Sequence, residues 1–210
     1  MPMAPAAATV EDVLQLAIRH VNAGQPERAR LLCEHALAAH PPHAGVLQLL
    51  ALLTLQHGDA AQARQHAQAS LGLRPDHPPT LMLGAEAARA AGDAKDAARL
   101  LERAAALAPD HADAWFQLAL ARQDLHQAAA AAEALQAVLR LAPERAEAHV
   151  NLGIVLQELG LTDDAMRAYA RAYRLREDSF GRIAHALCAP SAGRLWLDLD
   201  ELRAALRATT

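Results

Sequence analysis

The chain has 210 residues, of which 53% are hydrophobic but only 3% aromatic. Alanine alone occupies 54 positions, so alanine and leucine must do most of the packing in any core. Both residues favour helices, whereas the β-branched and aromatic residues that fill strands are scarce. The formal net charge of -4 gives no basic surface, which argues against nucleic acid as a partner. Composition therefore predicts an all-α protein and excludes a sheet-rich fold.

Neither the apolar stretches nor the chain start predict membrane insertion or secretion. The most apolar stretch, Val46 to Leu55, is interrupted by polar residues and is too short to cross a bilayer. Residues 1–9 contain no Lys or Arg and are rich in Pro and Ala, which predicts a disordered tail rather than a secretion signal. With only Cys33 and Cys188, a disulfide framework is not expected. We expect a cytoplasmic protein, and a periplasmic location stays open if a leader precedes this sequence.

Residues of the same type recur along the chain at a constant interval of thirty-four positions. Prolines stand at Pro41, Pro75, Pro109 and Pro143. Glycines follow the same step at Gly24, Gly58, Gly92 and, one unit having been skipped, Gly160. Self-similarity at a fixed period of this length is typical of repeat architectures. Five units follow one another without insertion, at residues 10–43, 44–77, 78–111, 112–145 and 146–179.

This period and pattern resemble the tetratricopeptide repeat, over 170 of the 210 residues. The resemblance implies a right-handed α-α superhelix in which each unit is a hairpin of two helices. Small residues at the eighth and twentieth places of each unit fit this fold, because two helices approach to about 8–10 Å only when their crossing residues are small. Large residues such as Leu16 and Tyr169 are expected to fill the space around the crossing. The glycine ends the first helix in a left-handed conformation, and the proline ends the second.

The sequence departs from the repeat pattern at four places, each with an expected consequence. Gly84 and Ala67 stand where larger residues are usual, so the second and third units should pack more loosely. His126 replaces the turn glycine of the fourth unit. Glu177 replaces the last proline, which predicts that the final repeat helix continues towards Ser179.

Residues 180–210 are expected to cap the exposed end of the repeats with helices. Phe180, Ile183 and Leu187 lie at helical spacing behind Ser179, which is expected to cap that helix. The chain then breaks between Pro190 and Gly193. From Arg194 to Ala208 a leucine every few residues favours a second helix, although its first leucines also alternate as in a strand. Trp196 would pack on the repeats or face a partner.

The side chains that could support catalysis are few, and each has a structural explanation. Cys33 and Ser70 fall at core or crossing positions, and no base stands at a diagnostic spacing from them. His43, His77 and His111 share the last place of successive units and would lie about 10 Å apart, which is too far for one metal ion. We expect no enzyme activity, no cofactor and no metal. The histidines are either solvated inter-repeat residues or an edge that gains charge below neutral pH.

The resemblance implies that first helices line the inside of the superhelix, where ligands bind. Carried over place by place, the groove is an apolar trough edged with amides, which can hold the backbone and side chains of an extended peptide. Leu49 and Leu83 interrupt the row of amides. Some of these apolar residues could instead be covered by the terminal segments or by a second copy. The predicted peptide-binding residues are Leu14, Gln15, Ile18, Gln48, Leu52, Gln56, Met82, Glu86, Arg89, Phe116, Gln117, Leu120, Gln123, Val150, Asn151, Ile154 and Gln157.

The sequence therefore predicts a non-catalytic scaffold or adaptor that binds a protein or peptide in this groove. Two further versions stay open. One is a bacterial secretion or assembly chaperone that shields an apolar segment of its client. The other is an adaptor for a separate glycosyltransferase- or sulfotransferase-type enzyme. Protein or peptide partners are expected, without nucleic acid or membrane insertion, and a homo-oligomer is possible.

Overall fold

The computed structural model describes residues 9–188 and 199–209. Within these ranges the chain forms twelve α-helices, one short 3-10 helix at Glu177–Ser179 and no strand, which confirms the all-α class. The contacts divide the chain into two compact units, one ending at Leu107 and one beginning at Ala108. The helices are α1 (Val10–Asn22), α2 (Pro26–Ala39), α3 (Ala44–Gln56), α4 (Ala60–Leu73), α5 (Pro78–Ala90), α6 (Ala94–Leu107), α7 (Ala112–Asp124), α8 (Ala128–Leu141), α9 (Ala146–Glu158), α10 (Thr162–Leu175), α11 (Phe180–Leu187) and α12 (Leu199–Ala208).

The helices pair through small residues where they cross. The alanines at the eighth and twentieth places are at most 1% exposed in all five repeats. The fifth repeat has Gly153 at the eighth place, and a Cβ there would lie only 2.3 Å from Cε1 of Tyr169. The absent side chain of Gly153 therefore makes room for the buried tyrosine ring. The crossing alanines are Ala17, Ala29, Ala51, Ala63, Ala85, Ala97, Ala119, Ala131 and Ala165.

The turn inside each hairpin uses one residue in the left-handed backbone conformation. Four of these residues are the glycines of the repeat, and the fifth is His126, with a φ of 55°. A side chain in this conformation clashes with the backbone and costs about 1–2 kcal/mol, a cost that glycine avoids. The fourth repeat thus keeps the turn of its neighbours at the expense of local strain.

The end of the fifth repeat differs from the sequence prediction. Helix α10 stops at Leu175 instead of continuing to Ser179, although no proline follows it. Arg176 takes an extended conformation, and its guanidinium binds both Asp178 and Glu147 at 2.6 Å. These ion pairs accompany the chain's exit from the helix. Ser179 makes no side-chain hydrogen bond to the start of α11, so its predicted capping role is not formed.

One prediction about packing changes in the N-terminal unit. Leu16 does not fill a gap at the crossing but is 41% exposed. Gly84 and Ala67 are both buried, and the looser packing expected of the second and third units stays a prediction. A Cβ on Gly84 would lie 3.5 Å from the Cβ of Ala67, an ordinary contact distance. The two small residues allow α4 and α5 to approach closely.

Two helices follow the fifth repeat and share one core with it. Ile183 and Leu187 of α11 and Leu202 and Leu206 of α12 are at most 3% exposed. They pack with Val150, Tyr169 and Tyr173 of the fifth repeat. The predicted chain break at 190–193 and Trp196 lie outside the described residues, as do residues 1–8 of the predicted tail.

Candidate functional site

First helices of the N-terminal unit line a cavity of about 800 Å³, which we call the N-terminal cavity. Its walls come from α1, α3, the end of α4 and the start of α5. Apolar side chains dominate the lining. The lining residues are Glu11, Leu14, Ile18, Pro42, His43, Ala44, Gly45, Gln48, Leu49, Leu52, Leu73, Arg74, Pro79 and Leu83.

The structure brings four of the predicted binding residues together in this cavity. They are Leu14, Ile18, Gln48 and Leu52, from the fifth and ninth places of the first two repeats. Ile18 is 36% exposed, Leu14 is 8% exposed, and Gln48 and Leu52 are half-buried. Their exposure increases from Leu14 to Ile18, as expected for the floor and the edge of a binding site.

Sequence reasoning missed other residues of the lining. Leu49 and Leu83, which interrupt the predicted row of amides, extend its apolar surface. Leu73 closes one side, and leucine returns at its place in the next three repeats. That recurrence was the available signal for a role of the second helices in the site.

The polar groups of the N-terminal cavity are suited to binding a peptide backbone. Gln48 is half-buried and Arg74 is exposed, and neither makes a hydrogen bond or ion pair within the described residues. An amide offers both a donor and an acceptor, and a guanidinium offers several donors. His43 Nε2 lies 3.4 Å from a carboxylate oxygen of Glu11, while its buried Nδ1 has no partner in the described part of the chain.

Gly45 permits the close approach of α1 to α3 at the cavity wall. A Cβ at this position would lie 2.8 Å from Cδ2 of Leu14 and 3.3 Å from Cε1 of His43. Any larger residue would require the side chain of Leu14, which lines the cavity, to shift. The cavity shape thus depends on a glycine outside the repeat pattern.

The other predicted residues of the N-terminal unit do not line this cavity. Gln15, Gln56, Glu86 and Arg89 are exposed, and Met82 is half-buried. They lie on first helices, as the sequence predicted, but the structure does not gather them with the four lining residues.

In the C-terminal unit, Phe116 is partly covered by a cation. The guanidinium carbon of Arg145 lies 4.1 Å from the centre of the Phe116 ring, and Arg145 also binds Asp113 at 2.6 Å. Stacking of this kind is favourable because the ring face carries partial negative charge. A ligand on that face of Phe116 would have to displace Arg145 or stack on it.

Helix α11 covers part of the predicted groove, which corrects the expectation that these residues meet a ligand. Val150, Asn151 and Gln157 are 1%, 5% and 7% exposed. Gln157 Nε2 donates to the carbonyl of Ala186 at 3.1 Å, and the Tyr169 hydroxyl donates to Gln157 Oε1 at 3.1 Å. Both ends of this amide are therefore satisfied internally.

Asn151 is engaged by α11 in a similar way. Its Oδ1 accepts a hydrogen bond of 3.3 Å from Arg182. Val150 and Ile154 pack against the core that contains Ile183 and Leu187. These residues are buried because α11 packs on the face of α9 that the resemblance assigns to a ligand. Gln117, Leu120, Gln123 and Ile154 remain half-buried.

Two potential nucleophiles, Cys33 and Ser70, are held in structural roles. Burial raises the pKa of the Cys33 thiol to about 11, and the charge of Glu34 acts in the same direction. Cys33 is therefore a neutral thiol near pH 7, a poor nucleophile. The Ser70 hydroxyl donates to the carbonyl of Ala44 at 2.9 Å, which ties α4 to α3. Over residues 9–188 and 199–209, no three metal-ligating side chains cluster.

None of the described helices combines the length and the hydropathy that crossing a membrane requires.

Comparison with known families identifies the repeats. The tetratricopeptide repeat model matches residues 14–78, 82–122 and 116–181. The chain belongs to the tetratricopeptide repeat family. No curated protein sequence matches the chain.

Solved structures share this fold at low sequence identity. A crystal structure of MamA is 21% identical with a TM-score of 0.73, covering 78% of this chain and 95% of MamA. MamA from Desulfovibrio magneticus RS-1, from residue 41 to its end, is 22% identical with a TM-score of 0.76, covering 83% and 98%. YrrB, described as a tetratricopeptide repeat protein with an unusual peptide-binding site, is 18% identical with a TM-score of 0.77, covering 83% and 90%. At these identities the likeness shows the fold.

Proposed function

We propose that this protein is a non-catalytic interaction module that binds an apolar peptide segment of a partner protein in the N-terminal cavity. The observation that carries the proposal is the cavity itself. Its volume of about 800 Å³ is suited to several side chains, and apolar residues, among them five leucines, form most of its wall. Contiguous exposed apolar surface of this kind usually marks an interaction site.

The polar groups explain how such a peptide would be held. Apolar side chains of the peptide would lie against Leu14, Leu52 and Leu83, while Gln48 and Arg74 bond to its backbone. This mode tolerates many sequences because the hydrogen bonds go to groups that every peptide has. The peptide-binding site in the name of YrrB is consistent with this use of the fold. The neutral Cys33 thiol and the bonded Ser70 hydroxyl support a role without covalent chemistry.

The leucine-rich lining favours the chaperone version of this function, in which the cavity shields an apolar segment of a client. A peptide-display selection against the purified protein tests the proposal. We expect the selected peptides to share apolar residues. Replacing Leu52 with Asp should weaken their binding by about tenfold or more, because the cavity wall would then carry a desolvated charge.

The matched control is Leu159→Asp. Leu159 is 41% exposed, lies on the C-terminal unit and does not line the cavity. Binding that survives Leu52→Asp, or that is lost equally in both variants while both stay helical, would contradict the proposal.

A further inference from the structure

Two surface grooves, one in each compact unit, are lined mainly by second helices and carry the same residues at the same repeat places. We call them the α4–α6 groove, with a volume of about 260 Å³, and the α8–α10 groove, with a volume of about 500 Å³. Five lining residues of the α8–α10 groove have an identical residue two repeats earlier in the lining of the α4–α6 groove. They are Gln136, Leu139, Asp164, Arg167 and Arg171. These grooves are separate from the N-terminal cavity, which first helices line.

Aspartates of the same unit pair with the arginines of the α4–α6 groove. Arg103 binds Asp76 at 2.6 Å. Arg64 binds Asp93 and Asp96, each at 3.0 Å. The floor contains Gly84 and Ala67, which offer little apolar surface.

The α8–α10 groove leaves the corresponding cation available. Arg171, the counterpart of Arg103, is exposed and forms no ion pair or hydrogen bond with a described residue. Glu144 stands at the repeat place of Asp76, but it forms no ion pair with Arg171. Ala132 stands at the place of Arg64, so the bridging arginine is also missing. Arg167 is paired with Asp164.

The lining of the α8–α10 groove is also more apolar. Leu152 replaces the glycine of the other groove, and Leu156 and Leu161 extend the apolar surface. Leu161 is 47% exposed although it is a large hydrophobic residue. His149 is half-buried in the wall, its Nε2 donates to the carbonyl of Pro143 at 2.9 Å, and burial lowers its pKa. Arg171 is thus the available cation beside the leucine wall.

We propose that the α8–α10 groove docks a second protein segment, a helix on which a carboxylate adjoins leucine-like side chains. The apolar side chains would pack on Leu152 and Leu161, and the carboxylate would bind Arg171. A guanidinium binds a carboxylate through two parallel hydrogen bonds. The pair would therefore fix the position of the segment and also select a segment with negative charge. A basic segment would meet repulsion from Arg171.

A pair of fluorescent amphipathic helical peptides tests this proposal on the full chain. Both have the same length and the same leucines, but glutamates flank the leucine face of one and lysines that of the other. We expect the glutamate peptide to bind at least about tenfold more tightly, a difference that charge-assisted bonds can supply. Arg171→Gln should remove most of that preference.

Matched variants separate this groove from other sites. Arg103→Gln changes the same repeat place in the α4–α6 groove and should leave glutamate-peptide binding unchanged. Leu161→Ser should weaken binding of the glutamate peptide, and Leu159→Ser should not. Leu52→Asp in the N-terminal cavity should have no effect, so failure of the proposed function would be seen separately.

Three results would overturn the proposal. The first is equal binding of the two peptides, and the second is binding that is insensitive to Arg171→Gln. The third is concentration-dependent self-association of the wild-type chain, measured by sedimentation, that Arg171→Gln abolishes, because the occupant would then be a second copy of this chain.

Discussion

Helices α3 and α9 occupy the same place in their repeats but present their equivalent faces to different surroundings. Gln48 of α3 is half-buried in the wall of a cavity, whereas Val150, at the same fifth place on α9, is 1% exposed beneath α11. The resemblance to the repeat family assigns both places to the ligand-binding face. A repeat place therefore predicts the direction of a side chain, and the element that stacks next determines whether a ligand can reach it.

The first prediction compares truncations in these two regions. Ile183 of α11 is fully buried, so Ile183→Ala should leave a cavity and lower the free energy of unfolding by about 2–5 kcal/mol. Leu52→Ala removes a half-buried side chain and should cost about 1 kcal/mol or less. Urea denaturation followed by circular dichroism measures both. Equal losses would show that Leu52 on α3 is as well packed as Ile183 on α11.

The second prediction uses two buried glycines that lie on equivalent helices. Gly153→Ala should destabilise the protein by about 1–3 kcal/mol, since its methyl group would overlap the Tyr169 ring. Gly84→Ala should stabilise the protein by about 0.5–1 kcal/mol, because the new methyl meets Ala67 at contact distance and alanine favours helix. Thermal unfolding of the two variants should shift in opposite directions. Shifts of the same sign would contradict the packing described for one of these crossings.

The third prediction concerns the turn of the fourth repeat. His126→Gly should raise the free energy of unfolding by about 1 kcal/mol or less, because glycine adopts a positive φ without strain but gains freedom in the unfolded chain. Gly58→Ala, at the same place in the second repeat, should lower it. Chemical denaturation of both variants is the check. Destabilisation by His126→Gly would contradict the prediction, because the imidazole contacts would then contribute more stability than the backbone strain costs.

The fourth and smallest effect is a dependence on pH. Burial lowers the pKa of His66 and His77 in the N-terminal unit and of His149 in the C-terminal unit. The folded state therefore favours the neutral imidazoles, and the unfolded state takes up protons first as the pH falls. Stability should be complete above about pH 6.5 and decrease as the pH falls below it. Urea midpoints between about pH 7.5 and 5.5 test this. His77→Gln should reduce the slope, and constant midpoints would contradict the assignment.

The parts of the fold that the sequence predicted are those that depend on one repeat alone. Gly24 and its equivalents mark left-handed turns, and the crossing alanines are buried, because each is fixed by contacts inside its own hairpin. Even His126 takes the turn conformation that its place requires. Because the same residue types recur in each repeat, the same turns and helix crossings recur with them, and a single sequence is enough to predict these features.

The features that the sequence did not predict depend on the boundaries of the repeat array. Gln157 is buried because α11 follows the fifth repeat. The absence of a proline at Glu177 did not lengthen α10, since Arg176 forms ion pairs outside the helix. Repeat periodicity contains no information about these neighbours. The proposed binding site could accordingly be placed on the first helices from the sequence, but the N-terminal cavity could not be singled out among them.

Hydrogen–deuterium exchange with mass spectrometry, on the full chain with and without a selected apolar peptide, tests the central claim most directly. The account predicts slower exchange in Val10–Asn22 and Ala44–Gln56, the helices that line the N-terminal cavity, and unchanged exchange in Ala146–Glu158. Protection confined to Ala146–Glu158 and Phe180–Leu187, with none in the first two ranges, would contradict it.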